Sequence, residues 1–311
     1  MVYKSYVLIL LILCALNNGE AQNQGGLLWT VIKPGSKDTS YLLGTLHKYP
    51  QTVVKLPEIV EEKLNLCNNL YLEMQLDWKM AIKMLTSGTI SNAMMIDENE
   101  NWTEEDWDKI KNWFVNVQQM EERDFERLKA NGSGSRLVDM YLKLYGYTYG
   151  AVEDDLKMMA RKKRITIKGL DKDWNEIQTW YAHYAKSSSG FWQEGDLDSL
   201  LADGYYGLAD LFIAYAIQDT ATINEHEKDV EWKDGLTLVG WRNKQWMKQL
   251  NQLMQKKTFV AVGAAHLYGE TGVIRLLENA GFKCLPVKGH FGGDKLERFV
   301  RRNSRQYQLV D

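Results

Sequence analysis

Two stretches of this chain carry residue types that metal or acid–base chemistry uses, and they carry them in the same form. Thr258-Phe-Val-Ala-Val-Gly-Ala-Ala-His266 is an apolar run followed by glycine, two small residues and histidine. Tyr41-Leu-Leu-Gly-Thr-Leu-His47 has the same order. An apolar run of this kind reads as a buried strand. A histidine at its end lies where open α/β sheets bind ligands, beyond the carboxyl ends of the strands. Two acids fall at similar ends: Glu73 in Asn69-Leu-Tyr-Leu-Glu-Met74, and Asp171 after Ile165-Thr-Ile-Lys-Gly-Leu170. Two neutral imidazoles with one or two carboxylates can hold a divalent metal (Mn, Fe, Co or Zn) and leave positions open for water. A metal so held lowers the pKa of bound water from about 15.7 towards about 7. The candidate ligands are therefore His47, His266, Glu73 and Asp171. The glycine before each histidine lets the strand end turn and lets a ligand or another backbone come close.

Other readings of the same residues stand beside this one. A strand-end histidine can be purely structural, and Glu73 and Asp171 can be ion-paired to Arg242 instead. Gly263, Gly269 and Gly272 lack the Gly-x-Gly-x-x-Gly spacing of a dinucleotide loop. The chain has no Gly-x-Ser-x-Gly elbow and no His-Glu-x-x-His helix, which removes serine-hydrolase and zincin signatures. His183 and His226 fall in polar helical segments and read as solvated. His290, in Gly-His-Phe-Gly-Gly, is a weaker candidate for the cleft.

The elements that position these residues alternate in kind. Leu27–Ile32 and Ser40–His47 read as a hairpin turned at Pro34-Gly35. Pro57 opens a short helix, and Asn69–Met74 follows as a buried strand. Thr103-Glu-Glu-Asp106 reads as a capping box ahead of a stripe of Trp107, Ile110, Phe114 and Val117. Asn131-Gly-Ser-Gly-Ser135 is a flexible break. Glu153–Arg164 reads as helix and Ile165–Leu170 as strand. Arg242–Lys256 is a helix with Trp246, Leu250, Leu253 and Met254 on one side, opened by Arg242-Asn243. The last unit is a strand over 258–266, a helix over 273–280 stopped by Gly281, and a strand over Phe282–Val287. Residues 288–311 read as a polar, partly basic tail. The fold class is α/β, a mixed sheet flanked by helices, with α-helical insertions at about 77–150 and 173–256.

Composition sets outer bounds. At 311 residues the chain can bury about 75% of its unfolded surface, so stability requires no disulfide or structural metal. A net charge of −3 gives no nucleic-acid footprint. Lys4, the apolar run Tyr6–Leu16 and small residues up to Ala21 form the three-part layout of a secretory signal over 1–21, followed by a single domain over 22–311. The expectation is a secreted or periplasmic protein with no membrane span after cleavage. Cys67 and Cys284 then remain, either paired or as two buried small hydrophobes.

On Tyr41–His47, Leu70-Tyr-Leu-Glu73, Lys168-Gly-Leu-Asp171, Arg242-Asn243 and Phe259–His266 with Gly269 and Gly272, the chain resembles the TraB/GumN family, which includes PrgY and the Tiki proteins. The resemblance implies a core related to the erythromycin-esterase/ChaN-like fold and a metal-dependent hydrolase, with a peptide or protein as substrate. It makes His47 and His266 the metal-binding histidines, Glu73 the essential acid as ligand or base, and Arg242 the polar anchor. The chain departs from the family pattern in having Gly-Leu-Asp171 where Gly-Leu-Glu is usual. Val152-Glu-Asp-Asp155 likewise stands where an Asp usually begins the helix. The alternative of another class is a peptide- or haem-binding protein that uses the same cleft without turnover.

Overall fold

The computed structural model describes residues 25–75, 102–130, 136–146, 149–173, 196–226 and 231–307, with isolated positions between 176 and 183. The expected signal segment and the Asn131–Ser135 break lie outside the described residues. The strands are β1 (Leu28–Ile32), β2 (Thr39–Thr45), β3 (Tyr49–Pro50), β4 (Asn69–Met74), β5 (Tyr149–Gly150), β6 (Thr166–Asp171), β7 (Thr258–Gly263) and β8 (Lys283–Pro286). The helices are α1 (Glu58–Asn65), α2 (Glu104–Lys111), α3 (Glu122–Ala130), α4 (Arg136–Leu144), α5 (Val152–Lys162), α6 (Leu197–Ile217), α7 (Thr220–His226), α8 (Leu238–Leu253), α9 (Val273–Asn279) and α10 (Leu296–Asn303).

One mixed sheet organises the chain, in the order β6-β4-β7-β2-β1-β8. β6, β4, β7 and β2 run parallel, so their carboxyl ends share one edge, and β1 closes back antiparallel on β2. The hairpin between β1 and β2 turns as the sequence indicates. Ser36 N–H donates to Lys33 O at 2.9 Å, and Gly35 takes φ 85°, the conformation that position of a type II turn demands.

β7 is buried on both faces, as a central parallel strand must be. Phe259 and Ala261 face one core and Val260 and Val262 the other. On the first side pack α1, α5, α6 and the aromatic helical layer of α2 to α4; on the second pack α8 and α9. Cys67 belongs to the first core and Cys284 to the second, and both thiols are free. The sheet separates them. Burial pushes each thiol up to about 12, which makes them inert hydrophobes.

Three local expectations change. The stripe beginning at Trp107 ends at Phe114, because Asn112–Val117 widens into a π-helical turn and leaves Val117 60% exposed. The tail contains α10, which buries Phe299 and Val300 with Leu296 partly covered, while Arg298, Arg301 and Arg302 face outward. α6 is long and apolar enough by length and composition to cross a membrane, a run the sequence reading passed over. In this fold it buries Leu201, Ala209, Phe212, Ile213 and Tyr215 in the first core.

Candidate active site

The parallel register lays the candidate residues side by side along one edge of the sheet. Asp171 ends β6 and pairs with Met74, the neighbour of Glu73 at the end of β4. Gly263 ends β7 opposite Thr45, the last residue of β2. Neither histidine lies in a strand. His266 follows β7 by a single 3₁₀ turn, Ala264–His266, and His47 stands two residues beyond β2.

α8 delivers the group that joins the others. It begins at Leu238, capped by the Thr237 hydroxyl, so Arg242 lies in its second turn and not at its start. Trp246, Leu250 and Met254 seat this helix in the core. Each buried side chain of that size contributes about 1.5–3 kcal/mol, enough to offset much of the cost of taking a guanidinium out of water. Arg242 Nη2 donates to Glu73 Oε2 at 2.6 Å and to Asp171 Oδ2 at 2.7 Å, and Nη1 lies 3.2 Å from His266 Nε2. Its carbon sits 4.7 Å over the Trp246 ring. The ion-paired reading of both acids is therefore what the structure shows.

The two acids differ in their remaining contacts. Glu73 Oε1 accepts from Gly263 N–H at 2.6 Å and lies 3.6 Å from His266 Nε2. Burial works to raise the Glu73 carboxyl. Arg242, then the histidines and the Gly263 N–H, overcome it and hold the group well below the usual carboxylate range. Asp171 Oδ1 accepts from the Trp246 indole at 2.6 Å, so both of its oxygens are taken. Burial dominates there and leaves Asp171 raised in spite of Arg242.

His266 is buried, with its ring 4.5 Å from that of Trp246. Burial pushes it down to about 3, and Arg242 adds to the effect, so the imidazole is neutral at ordinary pH. Its Nδ1 lies 2.7 Å from Asn243 Oδ1. His47 is the open end of the site, with its side chain 74% exposed and Nδ1 3.0 Å from Glu153 Oε1. Thr45 donates its hydroxyl to the same oxygen at 2.5 Å. Glu153 Oε2 is buried and has no hydrogen-bond partner. His47 acts electrostatically on both Glu73 and His266.

The sequence reading did not single out Asn243, Trp246 or Thr45 as site groups, and it met Glu153 only as a departure from a family pattern. The glycines work by size. Gly44 is inside β2 and Gly263 has φ −48°, so neither needs a glycine-only backbone. A Cβ on Gly44 would lie 2.7 Å from Leu267 Cδ1, and one on Gly263 would lie 3.1 Å from Glu73 Oε1. His290 is exposed and lines a separate cavity of about 330 Å³ with Lys55, Glu58 and Asp294. His183 is not simply solvated: it hydrogen-bonds Glu231 O at 2.9 Å and stacks edge-on to Trp232.

Among the described residues no group of three or more His, Cys, Asp or Glu side chains is disposed to hold a metal ion, so the four expected ligands are not assembled as a ready metal set. His266 is held neutral and Glu73 ionised, each already in contact with Arg242, and His47 stands at the open side beside Glu153. Asp171 serves the site through Arg242 and Trp246. Glu73 is ion-paired to Arg242, whereas Glu153 lies beside His47 and Thr45 with its Oε2 buried and without a donor. Ligation by His266 Nε2 would exchange its contact with Arg242 for a metal bond.

In comparison with known proteins, residues 27–286 match the model of the TraB/PrgY/gumN family. No curated protein and no solved structure gives a match.

Proposed function

Given that the chain belongs to the TraB/PrgY/gumN family, we propose that it is a metal-dependent hydrolase, a peptidase acting at the carboxyl edge of the sheet. One observation carries the reading. An ionised carboxylate, a buried guanidinium and a neutral imidazole converge behind a second, exposed imidazole at the ends of adjacent parallel strands. His47, His266 and Glu73 would hold a divalent metal of the Mn, Co, Zn or Fe kind, which supplies hydroxide at neutral pH and polarises a carbonyl.

The chain's own groups divide the remaining work. The depressed carboxyl of Glu73 suits it to holding a cation better than to accepting a proton. Arg242 pins Glu73 and adds fixed positive charge close to where a peptide oxyanion would form. Glu153 orients His47 from behind. Its carboxyl is likewise held below its ordinary value and its Oε2 is buried, so its part is to position His47 rather than to accept a proton. Trp246 and the apolar second core exclude water from the inner wall. The Lys4-to-Ala21 pattern supports export, and the substrates would then be peptides outside the cytoplasm.

The test incubates the purified chain with a peptide library, with and without Mn, Co or Zn, beside Glu73→Gln. The expected result is metal-dependent cleavage that falls by about 10²-fold or more in the variant. A folded chain that yields no metal-dependent product under any of these conditions refutes the proposal and leaves the non-catalytic binder.

A further inference from the structure

Asn243 follows Arg242 on α8, and its contacts determine what His266 can do. The residue is 1% exposed. Nδ2 donates twice, to His266 O at 3.1 Å and to Thr271 O at 2.9 Å. Both amide N–H groups are thus spent on backbone carbonyls, which accept only, so the amide cannot be flipped. The oxygen must face the imidazole, and it lies 2.7 Å from Nδ1. An amide oxygen is only an acceptor, so Nδ1 carries the ring proton.

The other nitrogen follows. A guanidinium N–H can only donate, so the ring nitrogen 3.2 Å from Arg242 Nη1 presents a lone pair: Nε2, which also lies 3.6 Å from Glu73 Oε1. The opposite tautomer would set an Nε2–H against a guanidinium N–H and an Nδ1 lone pair against an amide oxygen, two repulsive contacts in a buried site. From this geometry we infer that Asn243 is a positioning residue that fixes His266 as the Nδ1–H tautomer, presenting Nε2 as a ready donor atom. The consequence for metal affinity rests on the function proposed above; the tautomer does not. The same amide ties the 3₁₀ turn to Thr271, so it sets the ring's orientation as well as its protonation.

The test uses the full chain labelled with ¹⁵N-histidine, free of metal, at about neutral pH. Signals of His266 are assigned by their loss in His266→Gln. In the parent, Nε2 is expected in the range of an unprotonated ring nitrogen and Nδ1 in that of a protonated one. Asn243→Leu removes the acceptor, and Nε2 should move towards the protonated range as an Nε2–H to Glu73 becomes competitive. Zn affinity measured by calorimetry should fall about 10–100-fold in the leucine variant. A protonated Nε2 in the parent, or a leucine variant with an unchanged spectrum, overturns the inference. Should the leucine variant fail to fold, the parent spectrum still decides the tautomer. The spectrum needs neither metal nor substrate, so failure of the peptidase assay and failure of the tautomer assignment are separate results.

Discussion

Replacing Arg242 by Met removes one charge from the most crowded point of the molecule, and the response to pH identifies what that charge does. Arg242 is 8% exposed and holds Glu73 and Asp171 at 2.6 and 2.7 Å. Methionine fills much of the same space and leaves two buried carboxylates facing each other. Removing one partner of a buried ion pair costs about 3–5 kcal/mol, and two partners on one guanidinium put the expectation at the upper end. The sign with pH follows from the acids. In the parent, Glu73 lies below its ordinary value and Asp171 above it. In the variant, burial and mutual repulsion raise both above their unfolded values. A raised folded pKa contributes stability below the unfolded value and loses it as pH rises through the folded one. The deficit of Arg242→Met should therefore be largest near pH 8 and shrink towards about pH 5, by about 1.4 kcal/mol per unit for each carboxyl that takes up a proton. Urea unfolding of parent and variant across that range measures it. Adding Glu73→Gln to the variant should recover at least about 1 kcal/mol, because one buried charge is gone. A deficit under about 1 kcal/mol near pH 8, or one flat with pH, would refute the account of Arg242 as the counter-charge of both acids.

Other perturbations separate exposed from buried roles. His47→Ala should change stability by less than about 0.5 kcal/mol, since the side chain is 74% exposed. Its Zn affinity, followed by calorimetry, should nevertheless fall more than about tenfold. Gly44→Ala forces a Cβ to within 2.7 Å of Leu267 Cδ1 and 3.1 Å of Ala264 Cα, an overpacking cost of about 1–3 kcal/mol in thermal or urea melts. Acid should unfold the parent through His266. Its folded value of about 3 lies below its ordinary 6.5, so the unfolded chain binds the proton first and stability falls as pH drops from the upper value towards the lower. Glu73 adds to that loss below its own ordinary value, whereas raised Asp171 opposes it. In His266→Gln the slope of urea midpoint against pH should flatten above about pH 5.

The parallel strands and their end residues were legible because burial on both faces leaves uninterrupted apolar runs, as in Phe259-Val-Ala-Val262, and because short parallel strands end abruptly at polar residues. The capping box at Thr103 and the Gly281 stop were legible for a similar reason: each is a local hydrogen-bond problem with few solutions. Asn243 and Trp246 were harder. They sit on a helix among other apolar and polar residues, and only the docking of α8 against the strand ends shows which of them meet His266 and Asp171. Arg242 was named as an anchor, but that it binds two acids at once depends on β4 and β6 being neighbours. The tail helix was hidden by composition. Leu296, Phe299 and Val300 have helical spacing, but Glu297, Arg298, Arg301 and Arg302 surround them in the sequence.

The two Gly-x-x-His units show why like sequences need not give like sites. β2 and β7 pair in parallel with Gly44 opposite Val262 and Thr45 opposite Gly263, so the motifs are offset by one residue, about 3.3 Å along the strand. After the glycine, β7 ends and the chain closes into a 3₁₀ turn, which swings His266 inward onto Trp246 and Arg242. β2 continues through Thr45, whose hydroxyl is drawn to Glu153, and His47 follows at the surface beside that carboxylate. Burial then separates the chemistry of the two rings. The inner imidazole is kept neutral by desolvation and held by an amide, while the outer one is solvated and lies beside a carboxylate. A pair built this way has one ring enclosed by the protein and one open to water. That asymmetry comes from a one-residue register difference and a single turn of helix, and it is the physical reason to expect the two histidine variants to differ in stability while agreeing in loss of metal affinity.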